Sequence, residues 1–431
     1  MTAHPFLTRI ADLDLALPYG EVRRVMPGRI EASGPTATVG GLCRIGGQLA
    51  EVAAVDADTL VLVPVEDGGP IAIGTRVEPV TYDGVGVGDG YGGRAIDALG
   101  RPIDGGAAIR PDQRVALRGI APGPLDRVAP TVLMETGVRA IDGLLTLGQG
   151  ERIGVFAASG VGKTSLIEQI VAQTAATRRI VCLVGERGRE VSGFWQALSS
   201  RGEAATLVAA TSDESAAMRA RAVSTALCLA EHWRDRGEHV LLVVDSITRL
   251  AMALREIGLA AGEPPTVRAY TPNVFAALPR IVERCGAVRG GGAITAVLTV
   301  LSETDEIDDP IVETMKALLD GHILLSRTLA DRGHFPAIDP IRSISRQAVR
   351  LMKPAHAQAA RGVTANLATY DEARVMIDSG LYQAGANPAI DAATAARDGI
   401  NAFLRQEQGV TVPFAETLRH LSTLAQGKRH G

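Results

Sequence analysis

The 431-residue chain is poor in the features that most readily reveal a function class. Aromatic residues make up only 3%, which weighs against the stacking platform that binders of single-stranded nucleic acid use. The stretch 22–81 goes further: it holds no Phe, Trp, Tyr or Lys, and its basic residues are five arginines. Four cysteines (Cys43, Cys182, Cys228 and Cys285) lie far apart with no CxxC pair. With eight scattered histidines, they suggest neither a disulfide framework nor a zinc site, and buried thiols in a reducing cytoplasm are the expectation. Lys and Arg number 44 against 48 Asp and Glu, a formal charge of −4, so no global basic field draws the chain to nucleic acid or anionic lipid. No run reaches the ~18 apolar residues of a membrane span. The N-terminus "MTAHPFLTRIADLDLALPYG" carries Asp12 and Asp14 where a signal peptide needs an apolar core. A soluble cytoplasmic protein of two or three domains is expected, with 46% hydrophobic residues to fill its cores.

What is present changes along the chain. In residues 1–21, Phe6, Ile10, Leu13 and Leu17 recur at helical spacing; a tail packed on its own domain or a partner-docking helix would both show this. Residues 22–81 read as short strands broken by Gly and Pro, a small barrel or sandwich. The Gly-dense segment 82–106 mixes glycines with apolar residues, as in "GRAIDALGRPIDG", and reads as ordered turns joining domains rather than a flexible tether. Over 82–350 the apolar runs "RIGVFA", "RIVCLVG", "VLLVVD" and "AITAVLTVL" alternate with helical patterns, as in a parallel sheet flanked by helices. Residues 351–431 are Ala-rich and helical.

Chemistry concentrates at four places. "AASGVGKTSL" (157–166) fits the phosphate-loop pattern GxxxxGK[ST], except that Ala157 stands at the first glycine. Gly160 and Gly162 allow the backbone to turn its N–H groups inward around phosphate oxygens. Lys163 can reach the β- and γ-phosphates and the Thr164 hydroxyl can ligate Mg²⁺. The strand "RIGVFA" precedes the loop and "TSLIEQIVAQTAA" follows it as a helix, so the helix N-terminus adds its dipole. "VLLVVD" ends in Asp245, suited to the Mg²⁺ shell, although such an Asp also serves as a helix cap. "VCLVGERGREV" (181–191) delivers Glu186 and Arg187; a glutamate there can polarise water, and a solvated charge run would look the same. "HFPAIDPIRSISRQ" (334–347) offers Phe335 for base packing and Arg346 as an arginine finger or a structural arginine.

Taken together, these residues resemble the homohexameric ATPases of type III protein export, most like the flagellar branch and related to the catalytic subunits of rotary ATP synthases. The likeness runs from about residue 25 to 405 through "GRAIDALGRPIDG", "GVRAIDGLLTLGQGERIGVFAASGVGKTSL", "GERGREV", "VVDSITRLAMALREIGLAAGEPP", "VFAALPRIVERCG", "LDGHILLSRTLADRGHFPAIDPIRSISR" and "INAFLRQ". "GERGREV" and "DSITRLAMALREI" match the export branch rather than the synthase. The resemblance implies an α/β fold: a RecA-like P-loop NTPase core with an N-terminal β-barrel and a C-terminal helical domain. It implies ATP and Mg²⁺ as cofactors and a nucleotide site of Ser159, Gly160, Val161, Gly162, Lys163, Thr164, Ser165 and Phe335, the last on adenine. Glu186 would activate water, Arg187 and Lys163 would meet the phosphates, and Thr164 and Asp245 would hold the metal. Arg346 would reach across a subunit boundary into the neighbour's site. Implied partners are further copies of the chain, regulator and stalk proteins of the export apparatus, export substrates and chaperones, and the membrane export gate, approached peripherally from the cytoplasm at the inner membrane.

The tail 1–21 is short beside the regulator-docking helix of the flagellar branch. The acidic loop "SETDEIDDP" (302–310) is read as solvated, with no metal assigned. Two readings compete within related chemistry. An injectisome ATPase shares the motifs, and a ring RNA translocase shares the core but wants the aromatics and lysines that 22–81 lacks. A non-hydrolysing ring subunit would lack the glutamate that Glu186 supplies.

Overall fold

The computed structural model describes residues 19–66, 68–80, 84–199, 205–302 and 309–425; the candidate docking helix and most of the acidic loop lie outside them. The first strands are β1 (Gly20–Met26), β2 (Arg29–Ser33), β3 (Leu42–Ile45), β4 (Gln48–Val55), β5 (Leu60–Pro64) and β6 (Arg76–Pro79). They close as β1-β2-β5-β4-β3-β6. Closure is what the sequence left open between barrel and sandwich. It rests on β6, which pairs with β1 at Gly20↔Val77 and with β3 at Ile45↔Val77, so no edge remains. Val22, Ile30, Cys43, Ile45, Val52, Leu62 and Val77 fill the interior.

The core sheet contains β7 (Ala95–Ile96), β8 (Arg152–Ala157), β9 (Arg178–Glu186), β10 (Ala205–Thr211), β11 (His239–Asp245), β12 (Ala293–Leu301), β13 (Gly321–Leu325) and β14 (Ile344–Ser345). Its path is β14-β13-β8-β12-β11-β9-β10-β7, parallel except for β14. Strands buried on both faces need continuous apolar runs, and "VLLVV" of β11 is fully buried. The turns of segment 82–106 contain short strands that sequence alone does not separate from their glycines: Val85–Val87 pairs with Gln113–Val115, and β7 adds to the sheet edge at Leu207↔Ala95.

Helices α1 (Lys163–Gln173), α2 (Gly188–Ser199), α3 (Ala216–Arg234) and α4 (Ile247–Ala261) follow β8, β9, β10 and β11. Ser215 begins α3 by accepting a hydrogen bond from Met218 N, the usual N-cap stabilisation of about 1 kcal/mol. The same hydroxyl donates to Val65 O at 2.8 Å and so ties the end of the barrel to the core. Trp233, fully buried near the end of α3, donates its indole N–H to Asp89 at 3.0 Å.

The C-terminal helices α5 (Pro354–Asp378), α6 (Pro388–Leu404) and α7 (Phe414–Ala425) pack on one another. Proline opens α5 and α6 at N1, where its missing N–H costs nothing. The buried ring of His356 joins α5 to the core through Gly143 O at 2.8 Å. No described helix is long and apolar enough to cross a membrane.

Candidate active site

Parallel strands deliver their carboxyl ends to one edge, where ligands of open α/β sheets bind. Three of those ends carry the residues singled out in the sequence. From β8 the chain enters the loop 158–162 and then α1. Gly160 and Gly162 have φ of 80° and 89°, left-handed values that a side chain at either position would strain. A Cβ on Gly162 would also lie 3.3 Å from the Phe335 ring. No side chain caps the first turn of α1, so its N–H groups face the loop, a ready anion site. Val161 is buried and anchors the loop in the core, while Ser159 and Thr164 are exposed and Ser165 half-buried. Ser159 O accepts from Arg327 at 3.2 Å.

Lys163, first in α1, donates to Asp245 at the end of β11. Asp245 is buried and also accepts from Thr299 Oγ1 of β12 at 2.6 Å. An ammonium has three protons, so this ion pair leaves Lys163 donors for phosphate oxygens. Asp245 and the Thr164 hydroxyl are hard oxygen donors of the kind Mg²⁺ takes, and Mg²⁺ usually needs only one or two protein oxygens beside phosphates and water. Among the described residues no group of three His, Cys, Asp or Glu side chains could hold a metal.

Glu186 ends β9. The pairing of β9 with β10 slips between Val184 and Glu186, and Gly185 sits there at φ 66°. This bulge re-aims the strand end. Glu186 is only 7% exposed, and burial pushes its carboxyl up to about 7, aided by Glu190 and the Asp245 charge and opposed by Arg249 and Lys163. Such a group exchanges a proton near neutral pH, as a general base requires. Arg187 follows, exposed, with its carbonyl accepting the N–H groups of Glu190 and Val191 in the first turn of α2.

Phe335, 45% exposed, lines a cleft of about 840 Å³ with Gly162, Ser165, Arg139 and Gln406. Its carbonyl accepts Gln406 N at 2.9 Å. The Gln406 side chain accepts Arg139 N at 2.9 Å and donates to Gly137 O and Val410 O, both at 2.7 Å. The core and the residues after α6 therefore share one wall of the cleft.

Arg346 stands apart. It follows β14, which runs antiparallel to β13, and its N–H donates to Asp320 O at 3.1 Å. Asp320 in turn binds Arg152, the first residue of β8, at both main chain and side chain. Arg346 is thus at the amino end of β8 and the phosphate loop at its carboxyl end, about 20 Å apart at ~3.3 Å per residue. The exposed guanidinium makes no hydrogen bond or ion pair to a described residue.

A family model for the nucleotide-binding domain of the ATP synthase alpha/beta family matches residues 137–345, and one for the C-terminal domain of the type III secretion ATPase EscN matches 352–423. The chain is 42% identical over 416 residues to the flagellum-specific ATP synthase of Bacillus subtilis, covering 94% of this chain and 95% of that one. The chain belongs to the type III export ATPases. It is also 40% identical to the type 3 secretion system ATPase of Xanthomonas euvesicatoria, covering 96% of both chains. The assembled ATPase EscN of enteropathogenic E. coli superposes with a TM-score of 0.90 at 38% identity, over 94% of this chain and 100% of that one. EscN in complex with its central stalk EscO gives a TM-score of 0.86 at 38% identity, over the same shares of both chains.

Two residues of this export ATPase escape a reading by motif. Arg249, in the first turn of α4, lies against Glu186 with N···O distances of 3.2 and 3.4 Å; its place in "DSITRL", four residues after Asp245, was the available signal. Thr299 had none, because it reaches Asp245 only through the register of β12 beside β11.

Proposed function

We propose that this export ATPase hydrolyses Mg·ATP as a homohexameric ring in which Arg346 of each copy completes the site of its neighbour. Hydrolysis energises or primes type III export, flagellar export first, by releasing or unfolding substrates at the membrane gate. The observation that carries the ring is the separation of Arg346 from Glu186. One chain supplies both a glutamate suited to act as base, at the carboxyl end of β9, and an exposed guanidinium beside the amino end of β8, the strand that leads to the phosphate loop.

In this reading the loop N–H groups of 159–165 and Lys163 bind the β- and γ-phosphates, and Phe335 packs on adenine. Thr164 and Asp245 would hold Mg²⁺, which when bound neutralises charge on the phosphate oxygens. Ionised Glu186 orients a water and takes one of its protons as the water oxygen bonds to the γ-phosphorus. The bond from that phosphorus to the bridging oxygen breaks, and ADP leaves with the electron pair. Arg187, Arg249 and the neighbouring copy's Arg346 donate hydrogen bonds to the γ-phosphoryl oxygens, whose charge they stabilise in the transition state. A stalk protein in the ring, a regulator on residues 1–21, and substrates with their chaperones complete the partners, with the ring held peripherally at the inner membrane.

The test is ATPase rate per subunit against protein concentration. The rate should rise steeply as rings form, and a rate independent of concentration would sink the shared site. Arg346→Ala and Glu186→Gln should each be inactive alone and regain turnover when mixed. The injectisome is the second reading, favoured by the match to EscN; deletion of the gene separates the two by loss of motility or of effector secretion.

A further inference from the structure

The residue before β8 is a fully buried glutamate, Glu151, which the site just described does not use. Its Oε2 accepts Gly148 N at 2.8 Å, and its Oε1 lies 3.2 Å from the Ser345 hydroxyl. Ser345 Oγ is also 3.1 Å from Thr146 O and accepts Ala348 N at 3.2 Å. A hydroxyl has one proton and two lone pairs. Thr146 O can only accept, so it takes the Ser345 proton, and the contact with Oε1 then needs a proton from Glu151. With that proton the chain Glu151–Ser345–Thr146 is complete and uncharged, as a fully buried site requires. Burial pushes the Glu151 carboxyl up to about 8, opposed by the N–H of Gly148.

Ser345 is the residue immediately before Arg346. The next residue on the other side, Arg152, holds Asp320, whose carbonyl accepts Arg346 N at 3.1 Å. The segment bearing the guanidinium is therefore fastened at two consecutive points to Glu151 and Arg152, the root of the strand that ends in the chain's own phosphate loop. We propose that Glu151 is a positioning residue for Arg346: its carboxyl fixes Ser345 and thereby aims the guanidinium into the neighbouring copy's site. The inference rests on the reading of Arg346 as an inter-subunit finger. It adds that β8 is a rigid link between the two sites each chain serves, with its own nucleotide at one end and the finger for the next site at the other.

The test uses the full chain and compares Glu151→Gln, Glu151→Ala, Ser345→Ala and Arg346→Ala, each alone and each mixed with Glu186→Gln as monomers before assembly. Glu151→Gln keeps both contacts, its amide oxygen accepting Gly148 N and its amide N–H donating to Ser345, and turnover should stay within about twofold of the parent. Glu151→Ala and Ser345→Ala should lose about 10- to 100-fold in kcat, the range for a reacting group displaced by about 1 Å, with KM for ATP changed less than about twofold. Mixing with Glu186→Gln should restore turnover to both, because the defect lies in the finger they donate and the Glu186→Gln copy donates an intact one. Damage to the variant's own site or fold is not repaired by mixing. If Arg346→Ala is inactive and rescued while Glu151→Ala and Ser345→Ala turn over normally or are not rescued, the positioning role is overturned and the finger stands. Arg346→Ala with full activity overturns the finger itself. Should Glu151→Ala fail to form rings, Ser345→Ala, which removes a single oxygen, decides the matter.

Discussion

Removing the charge of Arg249 should move the pH profile of this ATPase, and by an amount the contact geometry sets. The Arg249 guanidinium lies 3.2 Å from one Glu186 oxygen and 3.4 Å from the other. With charge centres ~4 Å apart and an effective dielectric constant of ~20, the attraction is about 4 kcal/mol. Arg249 is 34% exposed at its side chain, so solvent screening brings the realised figure down to about 1 kcal/mol. At ~1.4 kcal/mol per unit, that is about one pKa unit. The sign follows from charge: a cation favours the carboxylate, so Arg249→Gln raises Glu186 from about 7 to about 8. A general base works only when ionised, hence kcat/KM against pH should have its acidic limb near 7 in the parent and near 8 in the variant. At pH 7 ionisation alone costs the variant about fivefold, and at pH 9 that difference nearly vanishes. Arg249 is also proposed to donate to the γ-phosphoryl oxygens, so the whole curve should drop; the test is where the limb breaks, measured on assembled rings at fixed concentration. A limb that stays in place, or moves to lower pH, refutes the pairing as the control on Glu186.

Three further perturbations probe separate parts of the molecule. Gly160→Ala and Gly162→Ala should each lose about 1–2 kcal/mol of stability to left-handed backbone strain, but only Gly162→Ala also presses on Phe335. Its affinity for a fluorescent ATP analogue should fall the further of the two, by more than about tenfold. Thr299→Val removes the 2.6 Å hydrogen bond to Asp245; a Mg²⁺ titration of the ATPase should shift about tenfold to higher concentration, the usual cost of losing an outer-shell partner. Buried Arg284 pairs bidentately with Glu231. Arg284→Met strands that carboxylate and should cost about 3–5 kcal/mol by urea unfolding, with Arg284→Met/Glu231→Gln less unstable than the single variant.

The phosphate loop could be read from sequence because it compresses several demands into a few consecutive residues: an apolar strand, two glycines where φ is positive, and a lysine opening a helix. Asp245 was legible for a related reason, as the polar end of the fully apolar strand "VLLVV". Glu186 was harder. "ERGRE" has the alternating signs of a solvated run, and only the bulge at Gly185 and the burial beyond it distinguish the glutamate from its exposed neighbours. Thr299 and the partners of Glu151 were out of reach, since they depend on which strands lie side by side and in what register. Barrel closure was available only from the family resemblance, not from the strand pattern, for the same cause: β6 must find both β1 and β3, pairings more than thirty residues apart in sequence.

The placement of Arg346 bears on what assembly this chain can form. A two-fold dimer uses one self-complementary patch on both copies, which would require finger and site to share a face. Here they lie at opposite ends of β8, held there by Arg152 and Asp320 below and by the loop above. In the proposed ring each copy offers one surface, bearing Arg346, to one neighbour and a different surface, bearing its nucleotide site, to the other. Contacts of that head-to-tail kind either propagate as open filaments or close as rings. Only closure gives every Glu186 a guanidinium from a neighbour, because an open row leaves one terminal site without a finger. Turnover per subunit in short open oligomers should therefore trail that of closed rings by the share of terminal sites, a deficit that disappears on closure.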